Sequence, residues 1–330
     1  MKIETHKAKL YLFLMVVMFL FLYLPLKAEH KSREHPRFYL SFAYISGRIR
    51  VGDINNCLTS FNNNDLFNYV RKYNPGWEEV QGEIIPLPGK FKSFELSLYV
   101  ELKSRLSLGL SILEPIQKSN ESSLLFSLYI DNHTQRMNYY FKPKYWLLFP
   151  FEYTLYYKII DNPKFRFSAG AGSGFYMAGI SRTFIYTMII PEPVGAKAVD
   201  AIKIETRRFP FPTLVGHLKL LAEYSFNSRL SFISEIRLRY GRISHFKGTE
   251  SLERIYYDPN GNVQGIIKAE DKGFLYYFSK EDQDIGERYF DLHVWSNIPD
   301  ATPEFMRDVR KASLDLTGVS FKLGLMIKLF

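Results

Sequence analysis

Residues 94–102 read FELSLYVEL, so the even-numbered positions are all apolar and the odd-numbered ones carry Glu95, Ser97, Tyr99 and Glu101. Alternation with a period of two predicts a β-strand with one apolar and one polar face. Lys103-Ser104-Arg105 interrupts the pattern, and residues 106–112 resume it. The two segments therefore predict a β-hairpin with a very short turn.

The same hairpin design returns twice further along the chain. Residues 145–157 run into the polar turn at residues 161–164, and residues 165–175 lead away from it. The apolar face of the first segment is formed by its odd-numbered residues: Tyr145, Leu147, Phe149, Phe151, Tyr153, Leu155 and Tyr157. Residues 214–226 run into the turn at residues 227–229, and residues 230–240 follow. The three turns lie about 60 residues apart, which indicates a repeated architecture without a repeated sequence. Residues 38–44 and 319–329 alternate in the same way, which makes eight predicted strands.

Long connections join the hairpins on the side opposite to the short turns: residues 53–90, 116–143, 188–211 and 246–312. Short turns at one end and long loops at the other are typical of a transmembrane β-barrel. An even number of strands lets the first pair with the last and leaves no edge. The predicted fold class is all-β, a closed antiparallel up-and-down transmembrane β-barrel of eight strands. Ten strands are an alternative, because residues 124–130 read as an added strand and Pro150 would then mark a break in the strand at residues 145–157.

Two of the connections contain segments that resemble short helices. Leu66, Phe67, Val70 and Tyr73 fall at helical spacing within residues 64–73. Residues 303–310, PEFMRDVR, predict a second short helix just before the last strand.

The strand face opposite to the apolar set is strongly charged. It carries twelve ionisable side chains: Glu95, Glu101, Glu152, Lys158, Arg166, Lys219, Glu223, Glu235, Arg237, Arg239, Lys322 and Lys328. A charge that faces lipid near the middle of a bilayer costs about 2–4 kcal/mol, so in a membrane this face must point into the barrel. A water-soluble barrel would have the opposite polarity, and alternation alone does not separate the two.

Three features favour the membrane. The predicted inner face contains the small residues Gly170, Gly172 and Gly174, which would fill a dry core poorly. Aromatic residues gather near the strand ends, as an interfacial girdle requires: Tyr139, Tyr140, Tyr145, Trp146, Tyr156, Tyr157, Tyr224 and Tyr240. The chain also finishes on Phe330 with no polar tail.

The N-terminus predicts export. Lys2, Lys7 and Lys9 precede an apolar run at residues 10–24, and Ala28 is a small residue suited to a cleavage site. We expect a signal peptide at residues 1–28, a short periplasmic segment at 29–36 and the barrel domain at 37–330. Cys57 is the single cysteine of the 330 residues, which excludes a disulfide framework and a Cys-rich metal site. The net charge of +9 is spread along the chain and does not indicate nucleic-acid binding.

Taken together, the export signal, the eight alternating strands, the turn and loop lengths and the C-terminal strand at residues 318–330 resemble the small outer-membrane β-barrel proteins of Gram-negative bacteria. The architecture is similar to that of outer-membrane proteins A and W. The resemblance implies a location in the cell outer membrane and recognition of the last strand by the barrel-assembly machinery. Phe330 matches the terminal aromatic residue of that family by position, although the apolar residues of its strand are one position out of phase with it.

Three functions are compatible with this barrel. An eight-stranded barrel has room for little more than its own side chains, so the twelve charges predict an ionic plug and a structural or surface-binding role. The alternative is a channel or transporter for small solutes. A third hypothesis is a hydrolase at the loop-side rim, where Asp291 and His293 alternate onto one strand face. We predict no catalytic, cofactor-binding or metal site, and as partners we expect outer-membrane lipid and an extracellular ligand at the long loops.

Overall fold

The computed structural model describes residues 37–63, 80–130, 133–189, 195–281, 288–298 and 306–329. The predicted signal peptide, the helix predicted at residues 64–73 and Phe330 lie outside this part of the chain. The described residues form one helix, α1 (Asp53–Asn63), and the following strands: β1 (Phe38–Gly52), β2 (Val80–Gly82), β3 (Lys90–Lys103), β4 (Leu106–Leu113), β5 (Ile116–Ser119), β6 (Ser122–Ile130), β7 (His133–Asp161), β8 (Phe165–Ile189), β9 (Lys197–Ser225), β10 (Leu230–Tyr240), β11 (Arg242–Ser244), β12 (Lys247–Tyr257), β13 (Val263–Glu281), β14 (Arg288–Trp295), β15 (Met306–Lys311) and β16 (Ser313–Lys328).

Eight of these strands close into an antiparallel ring. Its order is β1, β3, β4, β7, β8, β9, β10 and β16, and β16 pairs again with β1. The closing pair runs from Tyr39 opposite Lys328 to Gly52 opposite Leu314. The three short turns join β3 to β4, β7 to β8 and β9 to β10. The predicted closed barrel of eight strands is therefore confirmed.

Residues 124–130, which were the reason for the ten-strand alternative, do form a strand, β6, but this strand lies outside the ring. β6 pairs with the first part of β7 and with β2, whereas β4 pairs with the last part of β7. The strands β7 and β9 have 29 residues each, more than a membrane-spanning strand of about 10 residues needs. Their loop-side halves continue the sheet beyond the ring.

Much of the predicted long connections is in fact β-structure. β12 pairs with the first half of β9, β13 pairs with β12, and β14 and β15 pair with β13. We call these four strands with the loop-side halves of β7, β8 and β9 the extension. The helix predicted at residues 303–310 is wrong, since Met306–Lys311 is β15 and is held by backbone pairing to β13. No helix in the described ranges is long and apolar enough to cross a membrane.

The outer surface of the ring is apolar. Phe42, Leu218 and Phe321 are 57–60% exposed, and most of their neighbours on the same face are aliphatic or aromatic on every strand of the ring. On β16 and the residue that follows it, this face extends from Val319 to Leu329. Ten steps of about 3.3 Å along a strand tilted by about 40° give a height of about 25 Å, which is that of a membrane-facing band. We call this surface the apolar belt.

One part of the predicted face assignment is wrong. Tyr145 and Leu147 were assigned to the outer face with Phe151, but both are buried inside. The pairing of β7 with β8 shifts in register between Leu148 and Phe151, on either side of Pro150. A shift of one residue exchanges the two faces of a strand, so the alternation of the turn-side half cannot be extended across it.

The interior of the molecule has two layers. The turn-side part of the barrel holds the charged residues described below. Towards the loops lies an apolar core that includes Ile49, Phe91, Leu147 and Leu316 from the ring and Leu58 from α1. A cavity of about 10 Å³, bordered by Tyr176 and Arg239 among others, lies at the boundary and has room for no more than about one water molecule. Such an apolar layer was not predicted from the sequence.

Candidate functional site

The charged interior of the barrel is the candidate site. Seven of the predicted residues form a central cluster and are at most 7% exposed: Glu95, Glu152, Lys219, Glu235, Arg237, Arg239 and Lys322. They come from β3, β7, β9, β10 and β16, and they meet because alternate residues of each strand point inward. In register, Glu235 lies opposite Lys322 and Arg237 lies opposite Lys219.

Arg237 joins all three carboxylates of the central cluster. One terminal nitrogen donates hydrogen bonds to Glu95 Oε2 at 2.6 Å and to Glu235 Oε1 at 2.7 Å. The other lies 2.9 Å from Glu152 Oε2. A planar guanidinium has five N–H donors, so one arginine can serve several acceptors that a lysine could not reach together.

Lys322 provides a second link between carboxylates. Its Nζ donates to Glu95 Oε1 at 2.6 Å and lies 3.7 Å from Glu235 Oε2. It also donates to the hydroxyls of Ser97 at 3.2 Å and Tyr99 at 2.9 Å. The three protons of the ammonium group therefore have three acceptors, as a buried cation requires.

Glu152 is the anion with the most partners. Lys219 Nζ lies 3.0 Å from Glu152 Oε2, and a terminal nitrogen of Arg239 lies 3.0 Å from Glu152 Oε1. The hydroxyl of Tyr176 donates to the same Oε1 atom. With Arg237, three cations and one phenol thus surround a single carboxylate that is fully buried.

Four more of the predicted residues form an outer cluster nearer the turns. Lys158 Nζ lies 2.5 Å from Glu101 Oε1, and Arg166 lies 3.4 Å from Glu223 Oε1. Asp161, at the end of β7, adds a carboxylate 3.2 Å from Arg166 Nε. This cluster is more accessible to water than the central one, with side-chain exposures of 8–19% for its four predicted members.

Lys328 does not join either cluster. It is half-buried at the turn-side end of β16, opposite Tyr39, and makes no ion pair with another described residue. Its place on the inner face was predicted from alternation, but no described carboxylate lies within ion-pair distance of its ammonium group.

Tyrosines complete the central cluster. The Tyr156 hydroxyl donates to Glu235 Oε2 at 3.0 Å, although Tyr156 was assigned to the aromatic girdle and is in fact buried. Even-numbered residues of this part of β7, such as Glu152, point inward. The same alternation could therefore have placed Tyr156 on the inner face. His217 lies on the same inner face, where its Nε2 is 2.9 Å from the Thr154 hydroxyl.

The inward glycines of β8 make room for these rings. A Cβ at Gly170 would lie 2.7 Å from the Tyr156 ring, and one at Gly174 would lie 2.5 Å from the Tyr176 ring. Both distances are shorter than a van der Waals contact. The glycines therefore admit large side chains and do not leave empty space, contrary to the interpretation that small residues fill the interior poorly.

The central cluster contains four cations and three carboxylates, all buried and all in ion pairs. Buried ions of this kind hold one another in place, since removing a partner leaves an uncompensated charge in a medium of low polarity. The geometry is suited to a fixed network. No described group of three or more His, Cys, Asp or Glu side chains has the arrangement of a metal site.

The rim pair Asp291 and His293 has a different environment, in the extension. His293 Nδ1 lies 2.8 Å from Glu250 Oε1, and Nε2 lies 3.2 Å from Asp291 Oδ2. These two carboxylates oppose the effect of burial and raise the pKa of His293 to about 9. Asp291 also lies 3.2 Å from Arg182, and its pKa is held well below the usual range by His293 and Arg182 despite burial.

Comparisons with known proteins add little to this geometry. No protein-family model matches the chain, and no curated protein matches it. Among solved structures, that of the outer membrane protein OprG from Pseudomonas aeruginosa matches over 90% of this chain and 97% of that one, with 9% sequence identity and a TM-score of 0.32. We base the eight-stranded ring on the strand pairing of this chain itself.

Proposed function

We propose that this chain is an outer-membrane barrel protein whose lumen is closed to solutes and whose extension serves a structural or surface-binding role. The observation that carries the proposal is the inverted polarity of the ring. Phe42, Leu218 and Phe321 are 57–60% exposed, whereas Glu95 and Glu152 are completely buried. A soluble monomer rarely exposes more than a few hundred Å² of continuous apolar surface, and lipid is the solvent in which such a belt is stable.

Two features support a closed lumen. The central cluster fills the turn-side part of the barrel with paired ions, and the apolar core fills the loop-side part. An ion that crossed the barrel would have to separate the pairs around Arg237 and then cross a layer built mainly of apolar side chains. The extension is the part left to interact with an extracellular ligand, and insertion by the assembly machinery follows from the resemblance stated above.

The first experiment tests insertion. The purified chain is refolded into phosphatidylcholine vesicles and analysed by gel electrophoresis with and without boiling. We expect a band that migrates differently before boiling and that resists protease in the vesicles. A chain that stays in the aqueous fraction, with the same migration before and after boiling, would contradict the location in a membrane.

The second experiment tests closure in planar bilayers. We expect no steady conductance from the inserted wild-type protein. The alternative function, a channel for small solutes, predicts steady currents whose ion selectivity changes when Lys219 in the lumen is replaced by methionine. Such currents would overturn the closed lumen while leaving the membrane location intact.

We further propose that His293 holds the extension together and is not a general base. Both of its ring nitrogens face carboxylates, at 2.8 and 3.2 Å, and its pKa of about 9 keeps the ring charged at neutral pH. A general base must be free to accept a proton near the working pH. If the purified protein hydrolyses lipid or peptide esters and a His293→Gln variant loses that activity, this assignment is wrong.

A further inference from the structure

A groove of about 990 Å³ crosses β10, β16, β1 and β3, where the apolar belt ends on the loop side. Among its lining residues are Leu238 and Val319, which belong to the belt, and Arg48, Arg50 and Lys90, which are exposed. The groove therefore has an aliphatic half and a cationic half on the same surface.

The strand register shows how the two halves are arranged. Leu238, Val319, Arg48 and Lys90 form one continuous row across the four strands. The next outward row towards the turns contains Ile236, Phe321, Ser46 and Lys92. The row after that has no charge at all and consists of Ser234, Leu323, Tyr44 and Phe94. The cations in these rows therefore lie on β1 and β3 only, in the two rows at the loop-side end of the apolar belt.

These cations have no counter-ion in the described part of the chain. The side chains of Arg48, Arg50, Lys90 and Lys92 make neither an ion pair nor a hydrogen bond with another described residue. Arg242, on the neighbouring β11, differs because it lies 3.6 Å from Asp315. Four like charges grouped without an anion repel one another, and an anion that binds among them relieves the repulsion.

The loop-side wall of the groove is fixed by hydrogen bonds. Asn55 of α1 donates to the Leu87 carbonyl at 2.9 Å and accepts from the Leu87 amide at 2.8 Å. The Ile49 amide donates to the Gly89 carbonyl at 3.0 Å, which ties the same segment to β1. At Gly89 a Cβ would lie 2.2 Å from the Ile49 carbonyl oxygen, so only glycine permits this close approach. The groove is therefore a preformed feature of the fold.

We propose that this groove binds a lipid phosphate headgroup from the loop-side leaflet of the membrane. This inference rests on the proposed location of the barrel in a membrane. The phosphate lies among Arg48, Arg50 and Lys90, because a guanidinium fork matches phosphate oxygens and a lysine adds a point charge. The acyl chains run along Leu238, Val319 and Phe321 onto the apolar belt, which is the surface that the acyl chains of the membrane contact. A soluble phosphate would use the cations but not the aliphatic half, so lipid is the occupant that matches the whole groove.

The test compares ligands on the full chain folded in non-ionic detergent. Native mass spectrometry is used to titrate phosphatidic acid, diacylglycerol with the same acyl chains, and inorganic phosphate. We expect saturable binding of one phosphatidic acid. The affinities for diacylglycerol and for inorganic phosphate are each expected to be lower by about 10-fold or more. The double variant Arg48→Gln/Lys90→Gln is expected to lose about 10-fold or more in affinity for phosphatidic acid. The matched control Lys203→Gln/Lys268→Gln removes two exposed cations of the extension and should bind as the wild type does.

Three results would overturn the proposal. They are equal affinity of the wild type and the Arg48→Gln/Lys90→Gln variant, equal binding of diacylglycerol, and binding of inorganic phosphate as tight as that of the lipid. Each variant is first checked for insertion into phosphatidylcholine vesicles by its heat-dependent gel migration. A wild type that inserts but does not prefer phosphatidic acid refutes this inference alone, whereas one that does not insert refutes the proposed function.

Discussion

Replacing Glu152 by glutamine tests the central cluster by changing one charge at nearly constant shape. Glu152 is completely buried and lies about 3 Å from each of three cations, at 3.0 Å from Lys219, 2.9 Å from Arg237 and 3.0 Å from Arg239. The wild-type cluster has four cations and three carboxylates, so the variant would retain four cations and two carboxylates. Breaking a buried ion pair by removing one partner costs about 3–5 kcal/mol, and we expect Glu152→Gln to lower the free energy of unfolding by that amount.

A second substitution should restore part of this loss. Lys219 has its closest ion pair with Glu152, and its other carboxylate, Glu235, is 4.0 Å away. In the double variant Glu152→Gln/Lys219→Met the excess of cations returns to one. Its destabilisation is therefore expected to be smaller than the sum of the two single effects by about 0.5–3 kcal/mol, the range found for residues in one network.

The assay is a urea titration of the protein in lipid vesicles, in which the folded and unfolded gel bands are quantified at each concentration. Glu253→Gln is the matched control, because it removes an exposed carboxylate 2.7 Å from Lys268 in the extension. Such a surface pair is worth about 0.2–1 kcal/mol. If Glu152→Gln changes stability no more than the control does, or if the two central substitutions are additive, the reasoning about a coupled ionic cluster is refuted.

Three further predictions concern other parts of the molecule. Leu220→Arg, in the middle of the apolar belt on β9, should lower stability in vesicles by about 2–4 kcal/mol, whereas Tyr240→Arg at its loop-side end should cost about 0–1 kcal/mol; equal costs in the urea titration would argue against a depth-dependent lipid contact. The pKa of His293 is raised to about 9, so its stabilising effect is fully present below about pH 6.5 and is lost as the pH rises through about 9. The protection of the extension against hydrogen exchange, measured relative to the intrinsic exchange rate at each pH, should fall over that range in the wild type but not in a His293→Gln variant, and the same pH dependence of protection in both would exclude this ion pair as the cause. Burial raises the pKa of the Cys57 thiol to about 12, so a maleimide should label the unfolded chain and leave the folded one unmodified; rapid labelling in vesicles would show that α1 does not pack as described.

The turn-side half of the barrel could be predicted almost completely from the sequence. Residues 94–102 and the following hairpins alternate strictly between apolar and polar side chains. The sequence therefore indicates directly which side chains lie on each face of these strands. Eleven of the twelve predicted charged residues lie in ion pairs inside the ring, because the side-chain period of a strand is fixed by its geometry. Lys328 is the exception, since alternation gives the face of a side chain but not whether a partner lies at the same height.

The loop-side half of the molecule could be predicted less completely from the sequence. The register shift between Leu148 and Phe151 reverses the faces of β7, and no alternation pattern can be followed across such a point. Alternation predicts loops for much of the extension because its strands, such as β12 and β15, are charged and largely without buried residues, so they lack a continuous apolar face. The groove near Arg48 was also missed, because Leu238, Val319 and Lys90 become neighbours only through pairing between strands distant in the sequence.

The most direct measurement is the accessibility of a spin label to oxygen along β16 in lipid vesicles. Single cysteines are placed at successive positions from Val319 to Ile327 in a Cys57→Ser background. Oxygen dissolves preferentially in the hydrocarbon region, so we predict maxima at Val319, Phe321, Leu323, Leu325 and Ile327 and minima at the residues between them. Maxima at Ser320 and Lys322, or a profile without a period of two, would contradict a barrel that turns its apolar face to lipid and keeps its charges inside.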